Sequence, residues 1–258
     1  MSYINDSEFL LEVRKGNVAG HSLINKFGFN DAVDSTLAPV ADGAVYQTPT
    51  SATALEVVSS STDDAAAGTG ARTVIIEGLD ANFNLQEETV SMNGTTAVDL
   101  ANTYTRVFRM YVGDSGTYAT QSAGSHAGTI TLRVDGAGAT WATIGLSAGG
   151  FPVGQTEIGC YTIAAGYTGY LISLDTQIES GKTPNVLWFR RTNADVVSAP
   201  YDPIRLFYRT NISGGVNSVN YLGEVEKFEE KTDLGAMAYI GASTASVSVR
   251  FQLLLVEN

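Results

Sequence analysis

Alternation of apolar and polar residues dominates the chain from about residue 53 to its end. In the last run, every second side chain from Ala245 to Leu255 is apolar, and most residues between them are polar. Successive side chains of a β-strand point to opposite faces, so this alternation predicts a strand with one buried face. Similar runs predict further strands at 54–59, 73–77, 87–92, 104–112, 130–134, 139–144, 157–163, 169–176, 185–191, 204–209 and 234–240.

Turn residues separate these predicted strands. Asn93-Gly94 predicts a hairpin, because a type I′ turn needs positive φ at both central residues. Further turns are predicted at 135–138 and 166–169, and Asp63-Asp64 is interpreted as a loop tip. A single short helix is predicted over 6–15, with Asp6 as its N-cap and a glycine at its end.

Many short strands without intervening helices predict an all-β fold, a two-sheet antiparallel sandwich of the jelly-roll or a related Greek-key kind. The sandwich is expected over residues 51–258. Residues 1–50 show no sustained period and are predicted to form an extended N-terminal arm that docks on a partner. Exposure of Phe27 and Phe29 on such an arm is costly unless another surface covers both rings. A partner and the chain itself are both open as the covering surface.

Composition narrows the class of protein. Charged residues make up 16% of the chain, below the roughly 25% typical of globular proteins, which suits a surface that meets protein neighbours. The net charge of −12 argues against nucleic-acid binding. Apolar segments are too short to span a membrane, and the start lacks the pattern of a secretory signal. Cys160 is the single cysteine, so an intrachain disulfide is excluded and a reducing cytoplasm is expected.

Three short motifs suggest chemistry, and none fits its required context. Residues 145–149 match G-x-S-x-G, but Gly150-Phe151-Pro152 follows where a nucleophile elbow needs a helix. Residues 68–72 are similar to a phosphate-binding loop, yet they precede a strand and are interpreted as a turn. Glu87 and Glu88 are adjacent on a strand and point to opposite faces, which makes a poor catalytic pair. The sequence therefore predicts no catalytic residue and no cofactor.

Three further patterns bear on metal binding and sugar binding. His21 and His126 are too isolated to predict a metal site. An acidic run is interpreted as a charged edge that contacts a partner or a cation, since two lysines interrupt it; its acidic members are Glu224, Glu226, Glu229, Glu230 and Asp233. Aromatic residues that suit a sugar platform are assigned to the core, with Tyr167 as the exception; they are Tyr161, Tyr167, Tyr170, Trp188 and Tyr208.

Several segments together resemble virion structural proteins of tailed bacteriophages, especially aquatic ones. The segments are Gly20-His21-Ser22-Leu23-Ile24-Asn25-Lys26-Phe27-Gly28, Gly68-Thr69-Gly70-Ala71-Arg72-Thr73, Glu77-Gly78-Leu79-Asp80-Ala81-Asn82-Phe83-Asn84, Met92-Asn93-Gly94-Thr95-Thr96-Ala97-Val98, Tyr161 to Leu171, Glu230-Lys231-Thr232-Asp233-Leu234 and Leu254-Leu255-Val256-Glu257-Asn258. The segment from Tyr161 corresponds to a central hairpin, with Ala164 and Tyr167 where the family pattern has Pro and Lys. The resemblance spans nearly the whole chain and brings no catalytic residues.

The resemblance implies a capsid decoration or cement protein, found in the virion and in the host cytoplasm during assembly. Its partners would be the major capsid protein or other virion proteins, and a homo-oligomer, most simply a trimer, is expected. The predicted docking residues are His21, Lys26, Phe27 and Phe29, with the acidic run as the second choice. A head or tail fibre that binds host glycans is the alternative within this class. A polysaccharide-active enzyme is the alternative from another class.

Overall fold

The computed structural model describes residues 6–120, 124–147, 150–220 and 225–258. They contain α1 (Asp6–Arg14), a 3₁₀ turn (Asp42–Ala44) and the strands β1 (His21–Val33), β2 (Ala38–Pro39), β3 (Thr53–Ser59), β4 (Thr73–Leu79), β5 (Leu85–Ser91), β6 (Val98–Tyr104), β7 (Arg106–Val112), β8 (Ile130–Val134), β9 (Thr140–Ile144), β10 (Cys160–Thr162), β11 (Tyr167–Ile178), β12 (Asn185–Arg191), β13 (Arg205–Thr210), β14 (Gly215–Asn220), β15 (Lys227–Phe228), β16 (Asp233–Tyr239) and β17 (Ala245–Glu257). In these ranges no helix is long and apolar enough to cross a membrane.

The strands form four antiparallel sheets. The first has the order β1-β17-β11-β14, with β15 beside β11, and the second has the order β10-β16-β12-β13, with β2 beside β16. The third is β6-β3-β8-β9 and the fourth is β5-β4-β7. Residues 53–144 thus form two sheets of their own between the N-terminal strands and the C-terminal half. The predicted all-β antiparallel sandwich is confirmed, with its strands divided among four sheets.

The core of the C-terminal half lies between the first and second sheets. Trp188 of β12 meets Phe251 of β17 edge to face, with ring centroids 5.7 Å apart. The indole N–H of Trp188 donates a hydrogen bond to Thr176 Oγ1 of β11 at 3.3 Å, so the ring's one polar group is satisfied. The inward side chains from Ala245 to Leu255 are all buried, as their alternation predicts.

The predicted N-terminal arm is corrected by the structure, because residues 21–33 form a strand of the first sheet. β1 runs antiparallel to β17, from His21 opposite Val256 to Val33 opposite Ala245. β17 pairs with β11 along one edge. β1 supplies the hydrogen-bonding partners for the backbone groups along the other edge of β17. A long central strand with one open edge would be exposed to uncontrolled pairing, and β1 removes that hazard.

The side chains of β1 explain why residues 21–33 lack the alternation of apolar and polar residues that is typical of a strand. Lys26, Gly28 and Asn30 face inwards and are buried, whereas Phe27 is 42% exposed. Gly28 lies against another backbone segment, where a Cβ atom would stand 2.3 Å from the Gly159 nitrogen. Only glycine fits that approach without movement of the main chain. The inward face is thus polar or small, the reverse of the usual strand pattern.

Two local predictions are confirmed. The helix α1 covers nearly the predicted range, and Gly16 follows it with φ +78°, the left-handed conformation that ends helices. The turn at 135–138 joins β8 to β9, with positive φ at Gly136 and Ala137.

Two predicted hairpins are instead connections between sheets. The turn at Asn93-Gly94 leads from β5, which pairs with β4, to β6, which pairs with β3. Gly94 has the expected positive φ, but its N–H donates to the Asp64 carbonyl oxygen at 2.7 Å. The central segment 161–171 likewise passes from β10 in the second sheet to β11 in the first. Turn chemistry is local, whereas the choice of partner strand depends on distant residues.

Candidate functional site

The predicted docking residues of β1 do not share one surface. Lys26 is 7% exposed, and its ammonium group donates to the Phe108 carbonyl oxygen and lies 5.8 Å from the centre of the Phe108 ring. Phe27 points outwards, and Phe29 is half-buried at the edge of a cleft. His21 packs edge to face against Phe9, with ring centroids 5.8 Å apart. Of the four, Phe27 alone presents a large apolar side chain to solvent.

Asp233 is not part of a charged edge. Its carboxylate is buried and accepts two hydrogen bonds from the Arg106 guanidinium, at 2.8 and 2.9 Å. Thr162 Oγ1 donates a third at 2.6 Å. The predicted partner or cation contact at Asp233 is therefore wrong, because both carboxylate oxygens already have partners inside the protein.

The other members of the acidic run have local partners. Glu224 lies outside the described residues. The remaining contacts are Glu226 with Arg190 at 3.1 Å, Glu229 with Lys227 at 2.8 Å, and Glu230 accepting from the Gly166 N–H at 2.6 Å. Exposed pairs of this kind contribute little to stability, because water screens the charges. Because of these pairs, the surface around the acidic run carries both positive and negative charges.

Asp64, predicted at a loop tip, is fully buried and organises the loop at 68–72. Its carboxylate accepts four hydrogen bonds, from the N–H groups of Ala71 (2.7 Å), Ala127 (2.8 Å) and Gly128 (2.9 Å) and from the Ser59 hydroxyl (2.5 Å). A Cβ atom on Gly70 would stand 2.1 Å from Asp64 Oδ1. The Asp64 carboxylate thus occupies the space beside Gly70 and Ala71, and the interpretation of 68–72 as a structural turn holds.

Side chains of the other suspected catalytic motifs make structural contacts. Ser147 Oγ accepts a hydrogen bond from the Phe151 N–H at 3.1 Å, in a turn after β9; Ala148 and Gly149 of the same motif lie outside the described residues. Glu88 accepts from the N–H groups of Ala101 and Asn102, at 2.6 and 3.0 Å. Ser147 therefore stabilises its own turn, and Glu88 of β5 stabilises the backbone of β6.

Carboxylates gather at two places that sequence patterns missed. Glu56, Asp99 and Asp135 bring one oxygen each within 4.8 Å of the others. Glu56 already accepts from Arg133 at 2.6 Å and from two backbone N–H groups, which accounts for its charge. At the second place, burial and the nearby Asp42 raise the pKa of Glu157. Residues far apart in sequence form both groups, so no local motif marks them.

An exposed apolar edge lies at the end of the second sheet. We call it the β13 edge, and its members are Val196 (38% exposed), Val197 (48%), Tyr201 (57%), Ile204 (55%) and Leu206 (51%). β13 ends the strand order of its sheet, so one side of its backbone faces away from β12. The alternation of 204–209 predicted the strand, but Phe207, not Leu206, faces the core and packs against Trp188 at 6.5 Å.

The β13 edge also carries positive charge. Arg205 and Arg209 lie on β13 and are exposed. Asp202, just before the strand, accepts hydrogen bonds from Thr192 and Asn193, both at 2.7 Å, and these lower its pKa. An apolar strand edge flanked by arginines has the composition of a protein interface, since arginine and aromatic residues are enriched there.

Comparison with known proteins leaves the family open. No family model and no curated protein matches the chain. Among solved structures, the isomalto-dextranase of Arthrobacter globiformis T6 in complex with panose is 12% identical with a TM-score of 0.24, and the match covers 91% of this chain and 35% of that one. The chain thus spans about a third of that enzyme's length.

Capsid proteins of a virus appear among the same matches. The structure of infectious bursal disease virus Gx strain is 10% identical with a TM-score of 0.20, covering 92% of this chain and 76% of that one. The VP2 subviral particle of infectious bursal disease virus is 8% identical with a TM-score of 0.12, covering 93% and 82%. Scores this low do not establish a shared fold, so these proteins assign no function to the chain.

Proposed function

We propose that the chain is a virion structural protein that decorates a capsid and stabilises the head shell through protein–protein contacts. The observation that carries the proposal is the β13 edge. Contiguous exposed apolar side chains mark sites of association, and an open strand edge offers unpaired backbone groups to a partner. The low share of charged residues, 16%, fits a surface of which much is covered in an assembly.

The resemblance to tailed-phage virion proteins supports the same function. It supplies the proposed partners, namely the major capsid protein or another virion protein, and the proposed location in the virion. A homo-oligomer is proposed as well, because closed rotational symmetry covers exposed sheet edges without forming a filament. A trimer is the proposed state. Phe27 on β1 is a second apolar contact outside the β13 edge.

Binding to purified heads of the phage that encodes the chain tests this function. The double variant Tyr201→Ser, Leu206→Ser removes the largest apolar groups of the β13 edge. We expect it to bind heads at least about tenfold more weakly, since a few buried anchors dominate interface energies. Leu11→Ser is the matched control, because Leu11 is 51% exposed on α1, away from β13.

Three outcomes separate the alternatives. Loss of head binding by the double variant with an unchanged urea midpoint supports decoration through the β13 edge. Equal binding of the double variant and the control contradicts it. If the wild-type protein does not bind heads but binds a host polysaccharide, a fibre is indicated. Cleavage of that polysaccharide indicates an enzyme.

A further inference from the structure

A cationic cavity lies beside β1, between the first sheet and the fourth. It measures about 370 Å³ and is reached by side chains from α1, β1, β4 and β7. Three of these are cations, Arg14, Lys26 and Arg109, and one is an acid, Glu77. The surplus of positive charge is notable because the chain as a whole carries −12. Junctions between packed units are common places for ligand sites.

Lys26 is the buried cation of this cavity. Within the described residues its one hydrogen bond goes to the Phe108 carbonyl oxygen, and no carboxylate oxygen lies within 4.0 Å of its nitrogen. An ammonium group has three N–H donors, so its hydrogen-bonding capacity is only partly used. Burial lowers the pKa of Lys26 to about 8, which leaves the group charged at neutral pH. A buried charge without a counter-ion is destabilising unless an anion joins it.

The two arginines are held beside this ammonium group. Arg109 stacks on the Tyr111 ring at 4.2 Å and contacts Glu77 at 3.4 Å and Gln155 at 3.2 Å. These contacts fix the plane of its guanidinium and pair the Glu77 carboxylate directly with Arg109, while Glu77 acts on Lys26 only from beyond 4.0 Å. Arg14, on the last turn of α1, lies against the side-chain amide of Asn25. Among the described residues of the cavity, Lys26 and Arg14 therefore have no carboxylate oxygen within 4.0 Å.

We propose that this cavity binds a small oxyanion, a carboxylate or a phosphate, with Lys26 as the buried donor and Arg14 and Arg109 beside it. Ammonium and guanidinium groups donate the short, charge-assisted hydrogen bonds that such anions accept. The amide N–H₂ of Gln155, whose oxygen accepts from Arg109, supplies a neutral donor for a remaining oxygen. The inference does not depend on the proposed role in a virion.

Isothermal titration calorimetry of the full chain at pH 7 tests the proposal. Sodium phosphate and sodium acetate are titrated separately into a constant chloride background, and the two arms distinguish a tetrahedral from a planar anion. We expect one site per chain for at least one of the two anions. Lys26→Met should weaken binding about ten- to a hundredfold, the range for loss of a hydrogen bond to a charged group.

Two further variants complete the experiment: one changes a second residue of the cavity, and the other is a control outside it. Arg14→Gln changes an exposed side chain and leaves the fold intact, and it should weaken the same binding. Arg72→Gln is the control, since Arg72 is exposed in the loop at 68–72 and does not line the cavity. Heats equal to those of added chloride overturn the proposal. Equal affinities for wild type, Lys26→Met and Arg14→Gln overturn it as well.

Discussion

Arg106 and Asp233 form a bidentate ion pair inside the protein, although 127 residues separate them in sequence. The pair joins β7 of the fourth sheet to β16 of the second. Thr162 adds a hydrogen bond to Asp233, and the Tyr46 hydroxyl lies 2.6 Å from Thr162 Oγ1. The Arg106 guanidinium also stands 5.4 Å from the centre of the Phe83 ring. This network ties the two halves of the fold together.

Removal of the charge at Asp233 should therefore destabilise the whole fold. Asp233→Asn leaves the Arg106 guanidinium buried without a counter-ion, which costs about 3–5 kcal/mol in comparable pairs. Urea unfolding followed by circular dichroism measures the change. Glu229→Gln is the control, because Glu229 forms an exposed pair with Lys227 and solvent screens such pairs. If both variants lost the same free energy of unfolding, the buried pair would contribute no more to stability than the exposed pair.

The comparison of Asp233 with β17 shows what the sequence can and cannot predict. β17 was predicted because its own residues alternate, and 185–191 was predicted with the bounds observed for β12. Asp233 looked like one more acid in a charged run, because its partner lies 127 residues away. A local sequence pattern reveals periodicity and turn residues, but it does not reveal which strands or side chains pair with each other. For the same reason the strand at 21–33 and the order of the sheets could not be predicted.

The candidate sites could be predicted only in part, because they also depend on long-range pairing. Neither the exposure of Phe27, whose ring was expected to be covered, nor the burial of Lys26 could be predicted from their neighbours in sequence. Lysine is rarely buried, so its inward position becomes visible only when β1 is paired with β17. The strand at 204–209 was predicted, but the face of it that meets solvent was not.

Substitution of Gly28 tests whether β1 is a strand of the sheet or a detachable arm. In Gly28→Ala the added methyl group would meet the Gly159 backbone at 2.3–2.4 Å, so the main chain has to move. We expect a loss of roughly 1–3 kcal/mol, the usual cost of overpacking. Gly241→Ala is the matched control, because the space around Gly241 is open. Equal urea midpoints for Gly28→Ala and wild type would contradict the packing of β1 described here.

Asp64 is expected to be a stability determinant of the loop at 68–72. Asp64→Asn replaces a carboxylate that accepts from three N–H groups, and its amide nitrogen would face donors. The free energy of unfolding should fall by at least about 2 kcal/mol, since hydrogen bonds to charged groups each contribute about 1.5–3 kcal/mol. The exposed neighbour Asp63 provides the control Asp63→Asn, which should change stability little. The opposite ranking of the two variants in thermal unfolding would refute this role.

Lys26→Met should stabilise the protein in anion-free buffer at pH 7. Burial lowers the pKa of Lys26 from its ordinary value near 10.5 to about 8, a difference equivalent to about 3 kcal/mol. Loss of the bond to the Phe108 carbonyl offsets roughly 1 kcal/mol of that gain. Urea unfolding should thus show a net gain of about 2 kcal/mol.

The sign of the pH dependence follows from the same shift. Between pH 8 and 10.5 the unfolded chain holds a proton on Lys26 that the folded chain has lost, so wild-type stability rises with pH in this window. The advantage of Lys26→Met should therefore be largest below pH 8 and shrink towards pH 10. Lys15→Met, at an exposed position, is the control. An advantage that stays constant with pH, or a destabilised variant at pH 7, would contradict the assignment.

The copy number of the chain in purified virions tests the proposed decoration role most directly. Quantitative mass spectrometry against the major capsid protein gives this number without any assumption about the docking surface. A protein that covers symmetry-related sites over the shell should be present on the order of hundreds of copies per particle, because symmetry repeats each site. A few to a few dozen copies would instead indicate a fibre, and absence from the particle would contradict a structural role in the virion.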